Sequence, residues 1–103
     1  MAVRIATARL ALWHAALSDE HGSPVLRHTA VAKLVANEMA QYVTDEAIQL
    51  HGPRGHTREL PVEHYVRDVQ GVALAGGTTQ VLRNLIAAQV TGRRFEQRCR
   101  NPA

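Results

Sequence analysis

The chain has 103 residues, which allows one domain at most. A composition of 46% hydrophobic and 20% charged residues excludes a disordered chain, and the 4% aromatic content leaves Ala, Val, Leu and Ile to build the core. The net charge of +3 is mild, and one cysteine, Cys99, excludes an intrachain disulfide. No apolar run approaches the length of a membrane span and no signal-peptide pattern is present, so we expect a soluble cytoplasmic protein without a membrane partner.

A first helix is predicted from the start of the chain to about residue 17. Two apolar stripes recur at helical spacing: Ile5, Ala8, Leu12 and Ala15 form one, and Leu10, Trp13 and Leu17 form the other. A helix that is apolar on two sides needs neighbours on two sides. Met1 and Ala2 supply no cap, so this start is typical of the middle of a helix.

A second helix is predicted over about residues 24–50, with Ser23 as its cap and Pro24 in its first turn. Its inner face is formed by apolar residues at helical spacing: Val31, Leu34, Val35, Met39, Tyr42, Val43, Ala47 and Leu50. The stretch "HGPRGHTRELP" that follows has two glycines and two prolines, which indicates a connector rich in turns.

Two more helices are predicted after this connector: a short one over about residues 62–68, and a last one that continues to about Gly92 or beyond. No stretch alternates convincingly enough to predict a strand. The sequence therefore predicts an all-α fold, an up-down helical bundle of three long helices and one short helix.

The stretch "GVALAGGTTQ" precedes the last helix and contains two adjacent glycines, Gly76 and Gly77. Glycines let the backbone approach another molecule closely, and Thr78 or Thr79 can cap the helix while its first N–H groups stay free. Such a helix end suits phosphate or carbonyl oxygens. A flexible loop with an ordinary threonine cap is the alternative.

Structural roles are the preferred interpretation for the histidines, for the paired glutamates and for the C-terminal arginines. The six histidines lack the spacing of a metal site, so no metal is expected. Glu59 and Glu63 could act as a pair in acid–base work, but Arg58 and Arg67 favour ion pairing. The C-terminal arginines suit a solvated helix end better than a nucleic-acid interface, because only one aromatic residue and no recognition motif accompany them; they are Arg93, Arg94, Arg98 and Arg100.

Three segments in order, "VTDEAIQLHGPRGHTRELPVEHYVRD", "GGTTQVLRNLIA" and "VTGR", closely resemble the C-terminal helical domain of the acyl-CoA dehydrogenases. That family has a Gln-x-x-Gly-Gly-x-Gly loop, a Glu-x-Pro-Val-Glu segment followed by Arg-Asp, and a Tyr-Glu-Gly-Thr-Ser turn into the final helix. The similarity covers about residues 24–94. It implies that residues 1–103 form such a domain, truncated at its N-terminus.

The resemblance implies FAD-dependent α,β-dehydrogenation of acyl-CoA thioesters, in which a carboxylate removes the α-proton and the β-hydrogen leaves as hydride to the flavin. The positions that match flavin contacts in the family are Gln49, Gly52, Thr78 and Gln80. Gly76 and Gly77 match the turn that meets the substrate carbonyl, which takes a hydrogen bond from a backbone N–H. Pro53 stands where the family has a second glycine and has no N–H to donate.

The resemblance also places Gly76 where most members of the family have their glutamate base, so we expect no catalytic residue in this chain and no activity from the chain alone. One branch of the family supplies its base from an earlier helix, which would lie before Met1. An oligomer with acyl-CoA dehydrogenase subunits, identical or different, is expected. The alternatives are a non-catalytic helical subunit that partners a complete enzyme, and a remnant without function.

Overall fold

The computed structural model describes residues 1–20 and 23–95 and shows four α-helices. They are α1 (Ala2–Leu17), α2 (Leu26–His51), α3 (Val62–Leu74) and α4 (Thr79–Thr91), with a 3-10 helix at Gly52–His56. Two strands of two residues each, β1 (Asp19–Glu20) and β2 (Ser23–Pro24), form an antiparallel pair between α1 and α2. The predicted all-α class is confirmed.

Two predicted helix boundaries were wrong. Helix α2 begins at Leu26 with Val25 as its N-cap, because Ser23 and Pro24 pair in extended conformation with β1 and cannot also enter a helix. Helix α3 has 13 residues rather than one or two turns, since it continues through Gly71 and ends only before the double glycine.

Helix α2 lies at the centre, and α1, α3 and α4 all pack against it. Four cross-helix contacts fix the directions: Arg4 over the Tyr42 ring at 3.8 Å, the His14 and His28 rings at 4.4 Å, Lys33 Nζ to the Val72 carbonyl at 3.3 Å, and Arg83 to Glu38 at 2.5 Å. Together with the element order, they show that α1 and α3 run antiparallel to α2 and that α4 runs parallel to it.

The core is built mostly from small side chains. The buried apolar residues are Ala8, Ala15, Ala30, Ala32, Val62, Ala73 and Leu82. The prediction that Leu50 belongs to the inner face of α2 was wrong. Leu50 lies in the last turn of α2, just before the 3-10 helix, and is 71% exposed. The helices form a slab of 48 × 43 × 20 Å, about two helix diameters thick.

Within the described ranges, none of the helices is both long enough and apolar enough to cross a bilayer.

Candidate functional site

The turn between α3 and α4 holds two consecutive glycines in conformations that other residues rarely adopt. Helix α3 ends at Leu74, Ala75 is extended, and then φ is +70° at Gly76 and +108° at Gly77. Because both values lie in the left-handed region, the sequence needs glycine at these positions to reverse the chain into α4.

Thr78 is the N-cap of α4, which decides between the two threonines that the sequence offered. Its hydroxyl oxygen accepts a hydrogen bond from the Val81 N–H at 3.4 Å. The hydroxyl hydrogen remains available to donate. The N–H groups of Thr79 and Gln80 belong to the first helical turn, which has no intrahelical acceptors for them. The turn thus presents several donors at a helix N-terminus.

The space beside Gly76 is open. A Cβ built on this exposed residue has its nearest neighbour, the Cε atom of Lys33, 4.0 Å away. At Gly77 the nearest neighbour is Cδ2 of Leu82, at 3.7 Å. Atoms of a ligand can therefore come close to this stretch of backbone without displacing protein atoms.

Lys33 is the side chain that sequence reasoning missed at this turn. Its Nζ donates to the Val72 carbonyl at 3.3 Å, in the last turn of α3, where carbonyl groups lack helical partners and a cation is favoured. The two residues are 39 positions apart. Only the packing of α3 along α2 brings them together, so no sequence motif signals the contact.

The carboxylates of the connector and α3 hold ion pairs. Glu63 pairs with Arg67 at 2.5 Å, as the sequence suggested. Glu59 pairs with Arg54 at 3.1 Å instead of with Arg58, because the 3-10 helix turns Arg54 towards it. Neither carboxylate is in position to act as a base at the glycine turn.

The second predicted contact region lies at the other end of α2. Gln49 is exposed in the last turn of α2, and Gly52 follows it with φ +62° and no atom within 4 Å of where a Cβ would lie. Gly55 has a packing role, since a Cβ there would approach the Cβ of His51 to 3.0 Å and the Ile48 carbonyl to 3.1 Å.

The two predicted regions do not come together within one chain. Gln49 is 16 residues beyond Lys33 in α2, which corresponds to about 24 Å at 1.5 Å per residue. The Gly76 turn lies beside Lys33. The structure therefore has Gly76, Gly77, Thr78 and Gln80 in one region and Gln49 and Gly52 in another.

Between α2 and α3, near the second region, a groove of about 450 Å³ mixes apolar and charged side chains. Its lining residues are Ile48, His56, Arg58, Glu63, Val66, Arg67 and Gln70. No cluster of three or more potential metal ligands occurs among residues 1–20 and 23–95.

Replacing glycine by alanine is expected to have opposite effects on stability in the turn and inside α3. Gly77→Ala places a side chain at φ +108° and is expected to destabilise the chain by about 1–3 kcal/mol. Gly71→Ala lies inside exposed helix α3 with nothing within 4 Å of the new Cβ. It is expected to stabilise by about 0.5–1 kcal/mol. Urea unfolding measures both; equal midpoints for the two variants would contradict the assigned conformations.

The fold is a helical domain with a double-glycine turn at the N-terminus of α4, where Lys33 lies beside Gly76. The family model described as the C-terminal domain of acyl-CoA dehydrogenase matches residues 1–91, and the chain belongs to this family. The resemblance found in the sequence is thereby confirmed.

Among curated proteins, the chain is 40% identical over 98 residues to the 3-sulfinopropanoyl-CoA desulfinase of Paraburkholderia xenovorans, covering 95% of this chain and 25% of that protein. It is 36% identical over 90 residues to the mitochondrial short-chain specific acyl-CoA dehydrogenase of Rattus norvegicus, covering 87% and 22%. The chain thus spans about a quarter of the length of these relatives.

Among solved structures, this chain is similar to one solved in work on the electron transferring flavoprotein of Acidaminococcus fermentans. The TM-score is 0.82 and the identity is 33%, over 89% of this chain and 24% of that chain.

Proposed function

We propose that this chain acts as the C-terminal helical domain of a flavoprotein that processes acyl-CoA thioesters, and that it is inactive alone. The family is generally FAD-dependent. Residues 1–103 then supply one part of a binding site that other protein segments complete. The observation that carries the proposal is the double-glycine turn at the N-terminus of α4.

The residues of this turn fit a flavin and a thioester. The backbone N–H of Gly76 can donate to the substrate carbonyl, as an oxyanion hole does, and the open space around Gly76 leaves room for the acyl group. The Thr78 hydroxyl and the Gln80 side chain can donate to polar atoms of the flavin ring. FAD, when bound, accepts the hydride that leaves the β-carbon.

The same turn lacks a base. Gly76 has no carboxylate, and the side chain nearest to it is Lys33, whose ammonium has no lone pair with which to take a proton. Removal of an α-proton must therefore depend on a carboxylate from another segment or another subunit. This is why we assign no catalytic residue to the chain.

The distance between the two contact regions supports an oligomer. Gln49 lies about 24 Å from the turn along α2, which is far enough for the two regions to contact the flavins of two different subunits. Members of the family are oligomeric. We assign Gln49 and Gly52 to the FAD of a neighbouring acyl-CoA dehydrogenase subunit, whether identical to this chain or not.

A second candidate function is desulfination rather than dehydrogenation. The relatives named 3-sulfinopropanoyl-CoA desulfinase are 40% and 41% identical to this chain. Release of a sulfinate group with water gives an acyl-CoA and hydrogensulfite, with no net oxidation of the carbon chain. Such a reaction does not require a carboxylate that removes an α-proton with loss of hydride, and Gly76 is compatible with it.

A chimera tests the proposed function. Residues 1–91 of this chain replace the matching C-terminal quarter of the Paraburkholderia xenovorans desulfinase, and the protein is purified without added flavin. We expect an oligomer that retains FAD, measured by its absorbance spectrum. Sulfite release from 3-sulfinopropanoyl-CoA favours desulfination, whereas reduction of an artificial electron acceptor by acyl-CoA substrates favours dehydrogenation.

A matched pair of variants in the chimera tests the assigned contact. Gln49→Ala is expected to weaken FAD retention by about tenfold, the loss of one or two hydrogen bonds, while Leu50→Ala at the neighbouring exposed position leaves it unchanged. A folded oligomer without flavin would instead support a non-catalytic assembly subunit. A chimera that does not fold at all would support a remnant without function.

A further inference from the structure

Lys33 is the only lysine in the sequence, and it lies beside the double-glycine turn. Its Nζ atom donates to the Val72 carbonyl at 3.3 Å, and its Cε atom lies 4.0 Å from the point where a Cβ on Gly76 would be. The side chain thus brings a primary amine to the region where the proposed function places a thioester. A lysine amine in its neutral form is a nucleophile towards carbonyl carbons.

The backbone at the end of α3 explains why this amine and a free N–H group lie together. Ala75 has φ −76° and ψ 141° and Gly76 has φ +70°, close to the values of the central residues of a type II turn. In a continuing helix the Val72 carbonyl would accept from the Gly76 N–H, four residues further on. Because the turn ends that pattern, Lys33 binds the Val72 carbonyl. Within the described ranges, the Gly76 N–H has no backbone acceptor.

A thioester carbonyl that accepts from the Gly76 N–H comes within reach of the Lys33 amine. The Nζ atom is one C–N bond beyond Cε, so it lies within about 5.5 Å of the Cβ position of Gly76. A carbonyl oxygen bound to the N–H lies about 2.9 Å from its nitrogen. Because the half-buried lysine has rotatable bonds and the space beside Gly76 is open, Nζ can approach the carbonyl carbon to about 3–3.5 Å.

We propose that Lys33 is a site of acylation by the acyl-CoA thioester that the double-glycine turn binds. This inference rests on the proposed function, because that function places the thioester carbonyl at the Gly76 N–H. The lone pair of the neutral Nζ attacks the carbonyl carbon, and the N–H stabilises the negative charge that develops on the oxygen. The carbon–sulfur bond then breaks, and the proton that the nitrogen releases neutralises the leaving thiolate. The products are an Nε-acyl-lysine and CoA, with no oxidation or reduction.

Acylation blocks the turn for the next substrate. The new acyl group occupies the open space beside Gly76, and the lysine changes from a cation into a neutral amide. Only the neutral amine reacts, so the modification is expected to accumulate slowly and faster at alkaline pH. An excess of acyl-CoA thereby inactivates the domain that binds it.

The full chain and a small thioester test the proposal. S-acetyl-N-acetylcysteamine has the thioester without the nucleotide of CoA, so its binding depends on the turn and not on protein segments outside this chain. The intact mass is expected to increase by one acetyl group, and peptide fragmentation is expected to locate that group on Lys33. In concentrated urea the turn is lost, and the rate at Lys33 should fall at least about tenfold.

A relocated lysine provides the matched control. Lys33→Arg/Arg9→Lys keeps one lysine and the same net charge, and places the amine at an exposed position of α1. Lys33 in the unmodified chain should react at least about tenfold faster than this relocated lysine, since one oxyanion donor contributes about 100- to 1,000-fold in other proteins. Circular dichroism verifies folding, and Lys33→Arg/Arg94→Lys replaces the first control if that variant unfolds.

Two outcomes would overturn the proposal. The first is a rate at Lys33 no higher than that of the relocated lysine, and the second is a rate that stays the same in urea. The proposed function is judged separately, by FAD retention and turnover in the chimera. A chimera that is active while Lys33 reacts as slowly as the relocated lysine contradicts this inference alone.

Discussion

The isolated chain is expected to give no acyl-CoA oxidation when it is supplied with FAD, acyl-CoA thioesters of several lengths and an artificial electron acceptor. The reason lies at the turn between α3 and α4. Gly76 is exposed and has no carboxylate, and the atom nearest to a Cβ built on it is Cε of Lys33, so we expect that no group there removes an α-proton. A general base contributes about 100- to 10,000-fold to such reactions.

The measurement is the bleaching of the acceptor dye, compared with a heat-inactivated sample of the same preparation. Circular dichroism of the unheated sample confirms that the helices are formed. Turnover above the heat-inactivated sample would show that the chain completes a site by itself, and it would contradict the assignment of Gly76 as an empty base position.

The fold was predictable from the sequence wherever periodicity decides the structure. Three of the four helices were identified from the apolar stripes of α1, the long periodic run of α2 and the Thr-capped start of α4. Helix α4 ends at Thr91, where the sequence predicted an end at about Gly92 or beyond. The boundaries failed where a non-local contact decides them. Ser23 and Pro24 resemble a helix start, yet pairing with Asp19–Glu20 holds them extended.

The length of α3 illustrates a competition between local preference and packing. Gly71 is typical of the beginning of a loop, because glycine weakens a helix interior by about 1 kcal/mol. Burial of Ala73 and the contact of Lys33 with the Val72 carbonyl stabilise the turn that follows it. The helix therefore continues to Leu74, and the glycine pair ends it.

The candidate site was predictable only in part. The sequence identified Gly76, Gly77 and Thr78 from turn and cap chemistry, and the structure places them together at the N-terminus of α4. Lys33 and the Glu59–Arg54 pair were not found, because they depend on how α3 packs along α2 and on the 3-10 helix after it. Side chains that meet across 39 residues leave no local pattern.

The assignment of Gly76 to the base position predicts a gain of function in a longer relative. In a full-length relative that shares this turn and has its base on an earlier helix, removing that base should abolish activity. Adding the substitution that matches Gly76→Glu should restore part of it, because the carboxylate then lies beside the substrate α-carbon. Even imperfect placement is measurable against a contribution of about 100- to 10,000-fold.

The structure also predicts what limits the recovery. At φ +70° a side chain is strained, which costs about 1–3 kcal/mol of stability. A carboxylate at this position can also reach the ammonium of Lys33, since the Cβ lies 4.0 Å from its Cε atom. A neighbouring cation favours the ionised form, so it lowers the pKa of the introduced carboxyl and weakens it as a base.

A third variant separates placement from basicity. Where the relative has a lysine that matches Lys33, adding Lys33→Met should raise the recovered kcat further and shift the acidic limb of its pH profile upward, because the carboxyl loses its cationic neighbour. Gly77→Glu, one residue away, serves as the matched control and should recover nothing, since it directs its side chain towards Leu82. If the Gly76→Glu variant is no more active than the base-less parent, with or without the lysine, the turn is only a helix cap and its assignment to the reacting carbon is wrong.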